Sequence, residues 1–306
     1  MKRNFFVGLT LLALLLASAG TRALAEDVTA PRNLQVDDYF ALKNVGGPHI
    51  SPDGTWVAYT VRARDLENDS SETRLWMVPT TGGEAIPLTA RGSSIWQPRW
   101  SPDGKYLSFL SARKGGQGGD EASAQVFTLD LRGGEGVQLT SVEQGVEGYE
   151  WSPDGKRLVL VIRDQDPNEG PGPWVVDRLM IKDDYVGYLN RLRSHLYVLD
   201  VGTGATVQIT SGDYEDYAPA WSPDGSTIAF TSNRTVEPDD NFNTDIWLVK
   251  PDAPHDKQEL VRVTSNLGSD EAPIWHPDGK RLVYSTTIKY EYVNYAQFEV
   301  AIIRVG

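Results

Sequence analysis

The side chains able to do chemistry gather between residues 163 and 245 of this 306-residue chain. The segment PWVVDRLMIKDDYVGYLNRLRSH mixes Trp174, Tyr185 and Tyr188 with Arg178, Lys182, Arg191, Arg193, Asp183 and Asp184. Aromatic faces beside fixed charges on a loop serve recognition. Trp174, Arg178, Asp184, Tyr185 and Tyr188 are therefore the candidates for substrate contact, against the alternative of a rim loop with no ligand. Asp239-x-Asn241-x-Asn243-x-Asp245 imitates the start of a calcium loop. Thr244 stands where the required Gly belongs, and Lys250 where the bidentate Glu belongs, so a polar inter-strand loop is the expectation and no metal is assigned. Gly115–Gly119 lacks the Lys-Ser/Thr of a phosphate loop and reads as a loop tip. The histidines are His49, His195, His255 and His276; the first and last lie at or beside repeated turns and His195 opens a strand, which suits structural roles. No G-x-S-x-G occurs, so no nucleophile elbow is present, no catalytic residue is assigned, and the chain alone is predicted inactive. No cofactor is expected.

The elements that must position these loops are announced by a repeated phrase: ISPDG at Ile50–Gly54, WSPDG at Trp100–Gly104, Trp151–Gly155 and Trp221–Gly225, and WHPDG at Trp275–Gly279. Pro presets φ, Asp can bond back to nearby N–H groups, and Gly takes the positive φ that follows, which makes a hairpin turn. The third and fifth residues past each Gly are apolar: Val57/Tyr59, Leu107/Phe109, Leu158/Leu160, Ile228/Phe230 and Leu282/Tyr284. Between them stand Ala58, Ser108, Val159, Ala229 and Val283, none of them large, as close sheet stacking favours. A second phrase, an apolar strand, a Gly-rich turn and a short strand ending in Thr, closes units at Thr89, Thr140 and Thr210, with a looser copy ending at Thr264. Each unit is four strands.

From each closing Thr to the next PDG proline is 13 residues, four times over, while the proline-to-proline steps are 50, 51, 70 and 54. A fixed connector with length variation between the second and third strands is what radially arranged sheets demand. The fold class is all-β, a β-propeller of four-stranded blades with about five blades present; a β-sandwich has no reason to hold one connector constant. The 70-residue step contains the insertion Arg163–Ser194, on the same face as the connectors.

Residues 1–25 read as a signal peptide: Lys2 and Arg3, an apolar run over Phe5–Ala17 shorter than a membrane span, and the small-residue site Ala23-Leu24-Ala25. The expected location is therefore periplasmic or secreted, with no stable membrane anchor after cleavage; the absence of Cys suits export without disulfides. Removing that segment takes the formal charge from −13 to −16, which argues against a nucleic-acid partner. Residues 26–47 form a lead-in with a short helix predicted near Val36–Leu42 to cap the array, and 48–306 form the propeller. Phe298–Val305 reads as the third strand of a fifth unit, from which a ring truncated from six to eight blades is the expectation.

VDDYFALKNVGGPHISPDGTWVAYTV, the WSPDG repeats and DRLMIKDDYVGYLNRLRSHLYVLD resemble the prolyl oligopeptidase family of serine peptidases, in its acylaminoacyl-peptidase and dipeptidyl-peptidase branches. The resemblance implies a propeller that screens a following α/β-hydrolase domain carrying Ser, Asp and His and admits short peptides as substrate. No triad position falls within these residues, so none is carried over. The alternative is a free-standing TolB-like periplasmic propeller that binds protein or peptide.

Overall fold

The computed structural model describes residues 32–91, 94–112, 123–166, 175–183, 187–289, 291 and 296–306. The expected signal segment, residues 1–25, and residues 26–31 of the expected lead-in lie outside them. The chain divides into Met1–Leu42 and Lys43–Gly306. In the first unit, helix α1 (Val36–Ala41) is started by Asp38, whose carboxylate accepts the Gln35 N–H at 2.8 Å and pairs with Arg32. An acidic first turn of this kind favours a helix N-terminus.

Among the described residues, the second unit holds five antiparallel sheets of three or four strands and one two-stranded hairpin. Sheet one holds β1 (Asn44–Ile50), β2 (Trp56–Asp65), β3 (Ser70–Pro79) and β4 (Ile86–Pro87). Sheet two holds β5 (Ile95–Trp100), β6 (Tyr106–Ser111), β7 (Gln125–Asp130) and β8 (Val137–Gln138). In sheet three β9 (Gly148–Trp151) and β10 (Arg157–Arg163) are separated from their partners by a small hairpin, β11 (Lys182–Asp183) and β12 (Gly187–Tyr188); β13 (Ser194–Asp200) and β14 (Thr206–Gln208) complete the sheet. Sheet four holds β15 (Asp216–Trp221), β16 (Ile228–Ser232), β17 (Asp245–Val249) and β18 (Val261–Arg262); sheet five holds β19 (Asp270–Trp275), β20 (Arg281–Thr287) and β21 (Phe298–Arg304). Four-stranded meanders of this kind are propeller blades. The array starts at Asn44, four residues ahead of the boundary expected at 48, because Asn44, Val45 and Gly46 already pair with Arg62, Val61 and Thr60.

The turn chemistry is the same at the first four copies. In the second, Ser101 Oγ donates to Asp103 at 2.7 Å, Asp103 accepts the Lys105 N–H at 3.1 Å, and Gly104 N–H bonds the Ser101 carbonyl at 2.8 Å with φ of 69°. These bonds hold the Asp103 carboxyl down at about 2, the Ser101 hydroxyl being the largest cause; Asp224 is held at about 2 by Ser222 in the same way. His276 replaces the serine in the fifth turn and accepts the Asp278 N–H on Nδ1 at 3.1 Å.

The closing threonines end the ladder. Thr89, Thr140, Thr210 and Thr264 accept through Oγ1 the backbone N–H of Leu75, Val126, Leu196 and Ile246, at 2.8–3.0 Å. A side-chain oxygen thus satisfies a buried donor that the short strand cannot reach.

The core is four layers, one between each pair of neighbouring sheets. Each tryptophan before a PDG turn crosses to the preceding sheet. Trp100 donates its indole N–H to the His49 carbonyl at 2.9 Å, Trp221 to that of Glu150 at 3.3 Å, and Trp275 to that of Ala220 at 3.1 Å. Trp151 departs from the rule: it donates to Ser108 Oγ at 2.8 Å, and Ser108 donates on to the Arg99 carbonyl at 3.0 Å. In sheets one to four the small residue between the apolar pair, Ala58, Ser108, Val159 or Ala229, packs with or bonds the indole of the next sheet. The innermost strands carry a further device. Gly47, Gln97, Ala218 and Ala272 have φ between 48° and 57°, and each precedes a proline and marks a register break. These are β-bulges, with proline tolerated where no ladder donor is needed. Sheet three has Tyr149 where proline would stand and pairs without a break.

Candidate functional site

The longest connections join second to third strands, and they gather on the side away from the PDG turns. There a cavity of about 880 Å³ opens between the loops of sheets three, four and five. Three stretches of chain build its charged wall. The insertion after β10 brings Arg178, the residue just before β13 is Arg193, and the loop from β16 to β17 brings Asp239. Asp239 is the shared acceptor: Arg178 reaches it at 2.5 Å and Arg193 at 3.3 Å, and both guanidiniums are more than nine-tenths buried. Arg193 also contacts Asp213 at 2.7 Å and Glu215 at 3.6 Å. Its surrounding carboxylates raise the guanidinium's affinity for its proton in spite of burial, which is the largest single influence and acts the other way.

A second group of lining residues is Tyr217 and Glu271, from the inner strands β15 and β19. Each precedes a left-handed residue, so the bulge sets how it is presented. Tyr217 Oη lies 3.3 Å from the Glu271 carboxylate. Burial above all, with the Glu271 charge beside it, pushes the phenol upward and keeps it protonated as a hydrogen-bond donor. Phe242, Leu267 and Phe298 supply apolar surface. Apolar walls with a few fixed polar groups bind and orient a ligand.

Of the residues singled out in the sequence, Arg178 lies in this wall. Tyr188 sits on the β11–β12 hairpin, largely exposed, with the Lys182 ammonium 6.0 Å from its ring centre, and is not among the lining residues. Trp174, Asp184 and Tyr185 lie outside the described residues. The calcium-like stretch sends its side chains apart: Asp239 to the two arginines, Asn241 to Asn233 at 3.0 Å, and Asp245 to Arg262 at 2.6 Å. The histidines lie in seams and turns. His49 is packed against sheet two, where burial and then the Arg99 charge lower its proton affinity to about 4. His195 is buried against Asp216 at 3.1 Å. Arg193, Glu215, Tyr217, Asp239 and Glu271 were not singled out as site residues from the sequence. The signal that could have found two of them is the proline two places before Trp221 and Trp275, which marks the bulge and hence the residues it presents.

The five sheets, their indole-bridged seams and their inner-strand bulges define a β-propeller, and the comparisons extend that class to a family. Residues 55–132 match the family model described as "Acylamino-acid-releasing enzyme, N-terminal domain". The chain is 30% identical over 226 residues to the peptidase YuxL of Bacillus subtilis, covering 71% of this chain and 34% of that protein. It is 26% identical over 273 residues to dipeptidyl-peptidase 5 of Porphyromonas endodontalis, covering 79% and 37%. The acylaminoacyl peptidase of Pyrococcus horikoshii superposes with a TM-score of 0.64 at 18% identity, over 88% of this chain and 39% of that one. TolB from Acinetobacter baumannii superposes at 0.51 and 16% identity, over 92% and 72%. The two superpositions establish the fold. These matches support a propeller portion of the prolyl-oligopeptidase type, and the chain spans about a third of the length of the two curated relatives.

Proposed function

We propose that the chain is the substrate-gating propeller of an exported, prolyl-oligopeptidase-type serine peptidase acting on short peptides. The observation that carries this reading is the cavity on the loop side of the sheets, walled by Arg178, Arg193, Tyr217 and Glu271, in a chain whose relatives bear peptidase names. A propeller supplies shape and selection; the activated serine is expected from a hydrolase portion outside these 306 residues. In this reading the cavity borders the peptide's route, its apolar and charged walls sorting chains that are short and unfolded from folded ones.

The test uses the chain alone and joined to a hydrolase portion of this family. The chain alone is expected to hydrolyse no dipeptide substrate and to take up no fluorophosphonate probe. Joined to a hydrolase portion, it should restrict cleavage to short peptides, and a wider cavity should relax that limit. Labelling of the isolated chain, abolished by mutating one serine, would overturn the assignment of roles. Export is tested by N-terminal sequencing of periplasmic protein, with Glu26 expected as the first residue.

The second reading, a TolB-like module that binds a protein or peptide, rests on the propeller fold shared with TolB. Peptide affinity of the isolated chain at micromolar concentration, with no effect on any hydrolase, would support it.

A further inference from the structure

The carboxylates lining the cavity are not equally engaged. Asp239 is shared by Arg178 and Arg193, and Glu215 accepts the Ser194 N–H at 2.9 Å and stands 3.6 Å from Arg193. Glu271 is half-buried and, among the described residues, meets only neutral groups. The Tyr217 phenol and the Thr244 hydroxyl donate to its Oε1 at 3.3 and 3.4 Å, and Oε2 has no protein partner. Its place in the sheets also sets it apart. The residues before the four inner-strand bulges are Gly46, Trp96, Tyr217 and Glu271, and Glu271 alone of these carries a charge. Phe242 stands two residues before Thr244 and Leu267 four residues before Glu271; with Phe298 they line the same cavity and are 60%, 63% and 60% exposed.

We propose that Glu271 is a cation-binding subsite of this cavity, taking the ammonium or guanidinium at the end of a lysine or arginine side chain in a bound peptide. The inference rests on the reading that the cavity borders a peptide's route, and it names the substrate class. Two neutral donors orient the Glu271 carboxylate without cancelling its charge, and a half-buried charge is screened less than one in open water. A cation reaching Oε2 makes a charge-assisted hydrogen bond, which is stronger than a neutral one. Lysine and arginine carry a methylene stem behind the charge, and such stems lie on apolar surface while the head reaches a polar partner. Phe242, Leu267 and Phe298 offer that surface, and an aromatic face adds its own attraction for a cation. A peptide's α-ammonium sits on the backbone with no stem, so the apolar surface adds nothing to its recognition. An acidic side chain finds no open cation, because Arg178 and Arg193 are already held by Asp239.

Calorimetric titration of the chain with blocked tripeptides tests this. The probes are acetyl-Ala-Lys-Ala-amide, the same peptide with norleucine in place of lysine, and the norleucine peptide with a free α-amine. The parent chain is expected to bind the lysine peptide about ten-fold tighter than the blocked norleucine peptide, and Glu271→Gln to reduce that preference to about two-fold or less. Asp252→Asn removes an exposed carboxylate that pairs with Arg157 beside the PDG turns, and it should leave the preference intact. Equal binding of the lysine and norleucine peptides by the parent overturns the subsite while leaving the peptide route standing, and it needs no variant. A preference that survives Glu271→Gln, or that Asp252→Asn also abolishes, overturns it too, since the chain's overall negative charge would then be the attraction. A free-amine norleucine peptide that binds as tightly as the lysine peptide overturns the assignment to a side chain. If no peptide binds at all, the peptide route falls and this inference with it.

Discussion

The two edges of the sheets solve opposite problems. At the PDG edge the turns are closed locally: in the first four copies the Ser hydroxyl bonds the Asp two residues on at 2.6–2.7 Å. At the loop edge the polar groups are satisfied by distant partners. Arg178 finds Asp239 61 residues away, and Arg193 finds Asp213 and Asp239. Between the edges lie the seams, where one indole per junction bridges two sheets. Local satisfaction makes one edge repeatable and chemically silent. Long-range satisfaction makes the other specific, and it is there that the cavity lies. Stability should therefore be concentrated in the seams, and selectivity in the loops.

The largest expected effect breaks a seam. Trp221→Ala removes a buried side chain that lies against Val159, Ile228 and Phe230 in one cluster, and leaves the Glu150 carbonyl without its indole partner. A loss of about 3–5 kcal/mol is expected from cavity formation in a packed core, read from urea unfolding. A loss below about 1 kcal/mol would show that the seams are not where stability resides. Thr210→Val comes next. It keeps the shape but strands the buried Leu196 N–H, which should cost about 1–3 kcal/mol; equal stability in the valine variant would mean that another acceptor reaches that donor.

Ala218→Gly should act in the other direction. Ala218 holds a φ of 48°, a region that costs an L-residue about 1–2 kcal/mol, so the glycine variant is expected to gain up to about 1 kcal/mol in thermal unfolding after glycine's own entropy cost. Glu271→Gln at the cavity should change stability by no more than about 0.5 kcal/mol yet alter peptide binding or selection. A stability loss as large as that of Thr210→Val would erase the contrast between edge and seam.

The smallest effect is acid sensitivity of the turns. Asp103 and Asp224 are depressed to about 2, so they bind protons less readily folded than unfolded. Their stabilisation is complete above the unfolded carboxylate value near ~4 and is lost as pH falls toward 2. Both are well exposed, so the contribution is small. Asp224→Asn should flatten the stability curve between pH 4 and 2 and leave the slope elsewhere unchanged; an unaltered acid limb would show that the turn carboxylates carry none of it.

Much of this was legible in the chain because it is local. The PDG turns, the apolar pairs on each second strand, the small residue between them and the closing Thr are all set by neighbours within a few positions, and the constant 13-residue connector exposes the repeat. The cavity was legible in part. Arg178 stood out as a charge on an insertion, but its partner Asp239 looked like one member of a metal-loop pattern. Nothing within ten residues of either indicates that they meet. The Trp151–Ser108 relay was hidden for the same reason: a serine between two apolar residues reads as a small packing position, and its hydrogen-bonding role exists only once the next sheet arrives.

The amino-acid order alone determined the unit, its four strands and the propeller class, since turns and period-two patterns are decided over a few bonds. Tertiary structure decided what each unit does to the next. It chose the carbonyl each indole reaches and made Asp239 the acceptor for two arginines. It also turned the bulges so that Tyr217 and Glu271 face one cavity. Those outcomes depend on distances between residues far apart in the chain, which only the docking of the sheets fixes.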